Sequence, residues 1–124
     1  MGLVEEYLKL ANDVVSFHEL VYDGATANKH NGKVKRMVAI AAEIEQNSPD
    51  LKNVFFQLLS HENDEVRLWV AHHMLEWMHY DLPYRQKALK EIRRKARQDK
   101  TAHGLGEKVW LKKWYMNHPK DRWI

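Results

Sequence analysis

LKNVFFQLLSHENDEVRLWVAHHML, which runs from Leu51 to Leu75, contains two apolar runs separated by a short polar turn. In each run the apolar residues recur every three or four positions, the spacing at which side chains share one face of an α-helix. The turn between them, His61-Glu62-Asn63-Asp64, has no apolar residue. The pattern predicts one helix over about residues 50–60 and a second over about residues 64–80.

The same spacing continues on both sides of this segment, with breaks where Gly, Pro and Asn cluster. Pro83 fits the first turn of a helix, because its missing N–H has no intrahelical partner there. Four more helices are predicted over about residues 3–22, from Ala25 or Asn31 to Gln46, and over about 83–98 and 105–117. The stripes predicted to face the core include Phe17 and Val21 in the first helix, Val54 in the third, Tyr84 in the fifth and Val109 in the sixth. Short loops favour antiparallel neighbours, so we expect a single all-α domain, residues 1–124, built of three stacked helical hairpins.

Composition removes several classes of protein. The 124 residues include no Cys, which excludes a disulfide framework, an iron–sulfur site and a thiol nucleophile, and favours a reducing compartment. No run approaches the roughly 20 apolar residues of a membrane span, and residues 1–6 lack the features of a signal peptide. The glycine-rich patterns of phosphate-binding loops are also absent. We therefore expect a cytoplasmic protein that needs no cofactor.

Charge is divided unevenly along the chain. The net charge is only +3, from 20 Lys and Arg against 17 Asp and Glu. Residues 1–82, however, contain 7 basic and 13 acidic side chains, a net of −6, whereas residues 83–124 contain 13 basic and 4 acidic ones, a net of +9. The two parts of the chain therefore suit partners of opposite charge.

The segment from Leu51 to Leu75 resembles a HEAT repeat, in which an apolar helix, a short turn and a second helix opening with Val-Arg follow one another. The residues that match are Leu58, Leu59, Asn63, Val66, Arg67, Val70, Ala71 and Met74. His61, where Asp is common, and the bulky Trp69 depart from the pattern. Arg67 lies inside the apolar arc, where an unpaired guanidinium is costly to bury, so we expect it to form a structural ion pair with a neighbouring helix or turn.

Most of the chain is similar to a family of small bacterial HEAT-like helical proteins of unknown function. The matching residues are Glu43-Ile44, His61-Glu62, Val66-Arg67, Gly104-Leu105 and Trp114. The resemblance implies a HEAT-like stack of about six helices. It also implies an immunity protein of a toxin–immunity pair, such as those of contact-dependent growth inhibition, which binds a cognate toxin and catalyses nothing.

The helix predicted over about residues 64–80 has two different faces. At 100° per residue, one broad arc is apolar and is predicted to lie in the core; it contains Val66, Val70, Ala71, Met74, Trp77 and Met78. The opposite line mixes polar and aromatic groups; it contains Glu65, Trp69, His72, Glu76, His79 and Tyr80. Such a mixture is typical of a protein-recognition surface, although an ordinary solvated face with Trp69 packed under a neighbouring helix has the same pattern.

This polar face, extended by Glu62 and Asp64, suits a basic partner. A nuclease toxin binds a polyanion and therefore tends to have a basic active-site cleft, which an acidic surface can steer towards and occlude. The hypothesis needs no catalytic residue in this chain, and no spacing in it indicates a nucleophile with its base.

Two other classes of site remain open from the sequence. His72 lies one turn from Glu76 and two turns from His79, so they could converge on a metal ion, although the HExxH pattern is absent. Residues 85–100 contain eight basic and two acidic side chains, and Trp110 and Trp114 lie one turn apart. The segment 85–114 therefore offers a second hypothesis, a nucleic-acid-binding surface with stacking aromatic residues.

Overall fold

Helices form nearly all of the computed structural model, which describes residues 2–16 and 24–122. In these ranges the chain is all-helical, with no strand. The α-helices are α1 (Leu3–Val15), α2 (Gly24–Asn47), α3 (Lys52–Phe56), α4 (Asp64–Trp77), α5 (Leu82–Gln98) and α6 (Ala102–Asn117). Three 3₁₀ segments add to them at Pro49–Leu51, Gln57–Ser60 and Pro119–Arg122. The all-α class predicted from the periodicity is confirmed, while Phe17 and Val21 lie outside the described residues.

Local side-chain contacts set where two of the helices begin. The Asn63 side chain accepts hydrogen bonds from the backbone N–H groups of Glu65 and Val66, at 2.8 and 3.2 Å, and so caps α4 at its first turn. The Thr101 hydroxyl accepts from the N–H of His103 at 3.3 Å. This cap starts α6 at Ala102, three residues before the predicted position.

The end of α4 is set by distant residues. The helix was predicted to continue to about residue 80, but it ends at Trp77 and the backbone of Met78 is extended. The N–H of His79 donates to a carboxylate oxygen of Glu45 at 2.7 Å, and the ammonium of Lys52 donates to the His79 carbonyl. These two side chains belong to α2 and α3, and their hydrogen bonds hold the backbone at His79 outside the helix. The sequence around His79 therefore does not by itself determine where α4 ends.

The core is formed by one apolar face of each long helix. Its fully buried residues come from α1, α2, α3, α4 and α5, and the largest are Tyr7, Met37, Ile40, Ile44, Phe55, Met74, Leu89 and Ile92. Most of the predicted inward positions are confirmed, but four are wrong. Val54, Trp77, Tyr84 and Val109 are 45%, 48%, 39% and 51% exposed. Trp77 ends α4 and Tyr84 lies in the first turn of α5, whereas Val54 and Val109 point about 100° and 160° away from the buried Phe55 and Leu111 of their own helices.

One polar pair lies inside this core. The Tyr7 hydroxyl is 2.6 Å from Nδ1 of His73, and both side chains are buried. Burial lowers the pKa of His73 to about 4, so the imidazole is neutral, and its Nδ1 accepts a hydrogen bond from the Tyr7 hydroxyl. The pair ties α1 to α4.

We expect Tyr7→Phe to lower the free energy of unfolding by about 1–2 kcal/mol, because it leaves a buried ring nitrogen without its donor. Urea denaturation followed by circular dichroism measures the change. Tyr84→Phe is the matched control, since that ring is 39% exposed and forms no hydrogen bond with a described residue. Equal stability losses in the two variants would contradict the assigned role of the buried bond.

Candidate partner-binding surface

A groove of about 330 Å³ runs between α4 and α6. It brings together four of the predicted binding residues, Glu65, Trp69, His72 and Glu76, all from α4. The other lining residues are Leu68, His73, His103 and Glu107. The groove has an apolar wall beside a cluster of charges, which is the composition of a recognition surface.

His72 is the centre of the charge cluster. Its Nε2 lies 2.7 Å from a carboxylate oxygen of Glu107, and its Nδ1 lies 3.1 Å from one of Glu76. Burial disfavours the charged ring, but the hydrogen bonds to Glu107 and Glu76 outweigh burial and raise the pKa of His72 to about 9. At neutral pH both ring nitrogens therefore carry protons and donate to carboxylates.

Glu76 also binds an aromatic residue of α6. Burial opposes its ionisation, but hydrogen bonds from His72 and from Trp110, whose Nε1 donates at 2.9 Å, lower the pKa of the Glu76 carboxyl group. The ring centroids of Trp110 and His72 are 4.6 Å apart with an angle of 82° between the planes. These contacts fix α6 against α4 and keep Glu76 ionised.

Two carboxylates of this cluster, Glu65 and Glu76, face outward above their cations, whereas Glu107 is as buried as His72. The Glu65 side chain is 45% exposed, while Lys95, whose Nζ is 2.7 Å from it, is 19% exposed. Glu76 is 38% exposed, while its partner His72 is 17% exposed. A molecule approaching the groove therefore meets negative charge first.

The remaining predicted residues divide into two groups. Glu62 and Asp64 are exposed in and next to the turn before α4, adjacent to Glu65. His79 and Tyr80, by contrast, lie beyond the end of α4, and the Tyr80 hydroxyl donates to the Lys52 carbonyl at 2.7 Å. They border a separate cavity of about 690 Å³ rather than the α4–α6 groove. The helix face predicted for Glu65, Trp69, His72, Glu76, His79 and Tyr80 therefore does not extend past Trp77.

The α6 contribution to this site was not predicted: His103 and Glu107 line the groove, and Trp110 binds Glu76 beside it. His103, Glu107 and Trp110 lie about 30 positions or more beyond the α4 residues that they approach, so no local pattern connects them. One signal was present, because Glu107 is the single acidic residue between Lys100 and Lys120. An isolated carboxylate in a lysine-rich helix indicates a specific internal partner, which here is His72.

Arg67 has an acidic neighbour on another helix. Its Nε lies 3.2 Å from a carboxylate oxygen of Glu91 on α5, and its Nη1 donates to the carbonyls of His61 and Glu62 at 2.7 and 3.2 Å. The Arg67 side chain is only 15% exposed. The guanidinium thus links α5 to the turn before α4, the arrangement expected of a structural ion pair.

The alternative sites gain little from the geometry. Within residues 2–16 and 24–122, no three His, Asp or Glu side chains form a group that could hold a metal ion. Trp110 and Trp114 stack on each other at 5.2 Å, and their ring N–H groups donate to the carboxylates of Glu76 and Asp121, so both rings are bound within the fold. No helix among the described residues has the length and apolarity to cross a membrane.

Many of the charges on α5 are bound internally. Arg85 forms two hydrogen bonds with Asp121, Arg93 donates to the Tyr115 hydroxyl, and Arg94 and Lys95 pair with carboxylates. Lys90, Arg97 and Lys100 have no ion-pair partner in the described part of the chain.

Comparison with protein-family models, characterised proteins and solved structures finds no match for this chain.

Proposed function

We propose that this chain is a protein-binding module and that it contacts its partner through an acidic surface. This acidic surface consists of Glu62, Asp64, Glu65, Trp69, His72, Glu76 and Glu107. The observation that carries the proposal is the layering of charge, because Glu65 and Glu76 are more than twice as exposed as the cations paired with them. The side chain of Trp69, which lines the adjoining groove, supplies an apolar contact of the kind that anchors protein interfaces.

The biological role that fits this surface is that of a cytoplasmic immunity protein. Its partner is a cognate toxin, such as a nuclease with a basic cleft, and inhibition requires only that the acidic surface cover the cleft. A lysine or arginine side chain of the toxin suits the groove, since its apolar stem packs on Trp69 and its charge meets Glu76. The chain supplies no catalytic group in this mechanism.

The fold in this proposal is a HEAT-like stack of three antiparallel hairpins. Contacts between α5 and α6 support it, because Arg85 near the start of α5 binds Asp121 beyond the end of α6. Arg93, further along α5, binds Tyr115, which precedes Asp121 in the chain. The Asn63 side chain caps the turn before the Val66-Arg67 pair, and this supports the HEAT-like arrangement proposed from the sequence pattern.

Reversing charge on the acidic surface is expected to weaken toxin binding by about 100-fold in the double variant Glu62→Lys/Glu65→Lys, since two attractive contacts become repulsive. Neither substitution touches the His72 network. The measurement is calorimetric titration with the toxin domain encoded beside the gene for this chain. Glu5→Lys/Asp50→Lys makes the same charge change at exposed positions of α1 and the Pro49–Leu51 segment. Unchanged affinity in the first variant, or equal loss in both, would rule out the acidic surface.

Nucleic-acid binding is the second candidate function, and the cations Lys90, Arg97 and Lys100 favour it because they lack ion-pair partners among the described residues. It predicts submicromolar affinity for an RNA or DNA duplex that falls steeply with salt. Anisotropy of a labelled duplex across a salt series distinguishes the two functions. Salt-sensitive submicromolar binding would count against the immunity proposal, whereas negligible duplex binding would remove the alternative.

A further inference from the structure

Three large apolar side chains are exposed on the outer face of α6, on the same side as Lys108 and Lys112. Leu105, Val109 and Met116 are 64%, 51% and 73% exposed. At 100° per residue their side chains leave the helix within about 40° of one another, so they form one stripe along α6. A stripe of three large apolar side chains at this exposure is a feature that binding surfaces share.

Beside the stripe lies a groove of about 530 Å³ lined by three cations. This basic groove consists of Lys108, Leu111, Lys112, Tyr115, Met116 and Arg122. Leu111 is nearly buried and forms an apolar floor, while Met116 belongs to both the groove and the stripe. Lys108, Lys112 and Arg122 form no ion pair with any residue in the described ranges, in contrast to Arg85 and Lys95 on α5.

We propose that the basic groove binds an acidic amphipathic helix of a partner protein. Apolar side chains of that helix pack on Leu111, Met116 and the neighbouring stripe, as in helix-in-groove recognition. Carboxylates on its flanks pair with Lys108, Lys112 and Arg122. Charge complementarity selects the partner, because this site offers three uncompensated cations and no carboxylate.

The apolar stripe distinguishes this occupant from other polyanions. A nucleic acid would satisfy the three cations through its phosphates but would leave Leu105, Val109 and Met116 uncovered. An anionic bilayer surface is broad and nearly flat, whereas the site is concave and has an apolar floor. A helix that carries both apolar side chains and carboxylates matches all of these features.

The basic groove is independent of the acidic surface proposed above. Glu107 and Trp110, which contribute to the α4–α6 contact, lie roughly 100–160° around α6 from Lys108 and Lys112. The two surfaces therefore flank α6 on different sides. Failure of one to bind leaves the other proposal standing, and one chain has room for both partners.

The test is fluorescence anisotropy with a labelled 18-residue peptide that has Leu at i, i+3/i+4 and i+7 spacing and Glu on both flanks. The full-length protein is expected to bind it at least about tenfold more tightly than a scrambled peptide of the same composition, because scrambling removes the apolar face but keeps the charge. Lys108→Glu/Lys112→Glu should weaken binding by at least about tenfold, whereas Lys90→Glu/Arg97→Glu, an equal charge change on α5, should alter it less than about twofold.

A second variant, Val109→Ser/Met116→Ser, isolates the apolar contribution, and about tenfold weaker binding is expected without a change in net charge. Circular dichroism confirms that the variants, all at exposed positions, keep the fold. Three results would overturn the proposal: equal binding of the scrambled peptide, equal losses in both charge-reversal variants, or tighter binding of RNA or anionic vesicles at Lys108 and Lys112. Self-association abolished by Lys108→Glu/Lys112→Glu would also overturn it, by assigning the groove to a second copy.

Discussion

Replacing Gly104 with alanine is expected to lower the free energy of unfolding by at least about 3 kcal/mol, one of the two largest effects in this chain. A Cβ atom at this position would stand 1.8 Å from the carbonyl oxygen of Asp99 and 2.8 Å from its carbonyl carbon. Asp99 cannot move aside cheaply, because its side chain accepts a hydrogen bond from the N–H of Thr101 at 2.8 Å and pairs with Lys95. Alanine would therefore force the start of α6 away from the end of α5.

Gly106 provides the matched control. It lies in the same helix, two residues further on, and no atom lies within 4 Å of the Cβ that alanine would add. Gly106→Ala is expected to stabilise the protein by about 0.5–1 kcal/mol, because alanine favours the helical backbone over the unfolded chain. Urea denaturation of both variants measures the difference. Similar stabilities in the two would mean that the α5–α6 junction is not packed as described.

The second large effect is a maximum of stability near pH 6.5, produced by two adjacent histidines whose pKa values are shifted in opposite directions. The pKa of His72 is raised to about 9, so its stabilising contribution is complete below pH 6.5 and is lost as the pH rises towards 9. The pKa of His73 is lowered to about 4, so its contribution is complete above pH 6.5 and is lost as the pH falls. On the alkaline limb and on the acid limb of the pH profile, the free energy of unfolding falls by roughly 3 kcal/mol, since one pKa unit corresponds to about 1.4 kcal/mol.

Denaturant titrations between pH 4.5 and 9 measure this profile above the range in which most carboxylates titrate. His72→Gln should flatten the alkaline limb and leave the acid limb in place, because glutamine keeps hydrogen-bonding capacity but has no titrating group. A profile that still falls between pH 6.5 and 9 in His72→Gln would assign the alkaline limb to another group. A flat wild-type profile over that range would contradict the charged state of His72.

The helices were predictable because their determinants are local. The spacing of Val66, Val70 and Met74 placed α4 against the core, and Asn63, in the polar turn, caps the start of the helix. The end of α4 was not predictable, because Glu45 and Lys52, more than 25 positions away, bind the backbone of His79. Periodicity describes which face is apolar, but it does not describe a tertiary contact that ends a helix.

The candidate surface was predictable only in its α4 half. Trp69, His72 and Glu76 follow from helical spacing, whereas their partners Glu107 and Trp110 depend on how α6 packs. Likewise, the net charges of −6 for residues 1–82 and +9 for residues 83–124 describe segments of the sequence, not surfaces of the folded protein. In the folded chain Lys95, from the basic part, pairs with Glu65, and Glu107 pairs with His72 from the acidic part. The charge that a surface presents therefore depends on which member of each pair is more exposed.

Amide hydrogen exchange of the protein with and without the cognate toxin domain tests the central claim most directly. If the acidic surface binds the partner, added protection should appear in α4 from Asp64 to Trp77 and in the first turns of α6 around Glu107, while the exposed face of α5 around Lys90 and Arg97 exchanges as before. Protection confined to α5 and the basic groove, with α4 unchanged, would contradict a partner-binding role for the acidic surface.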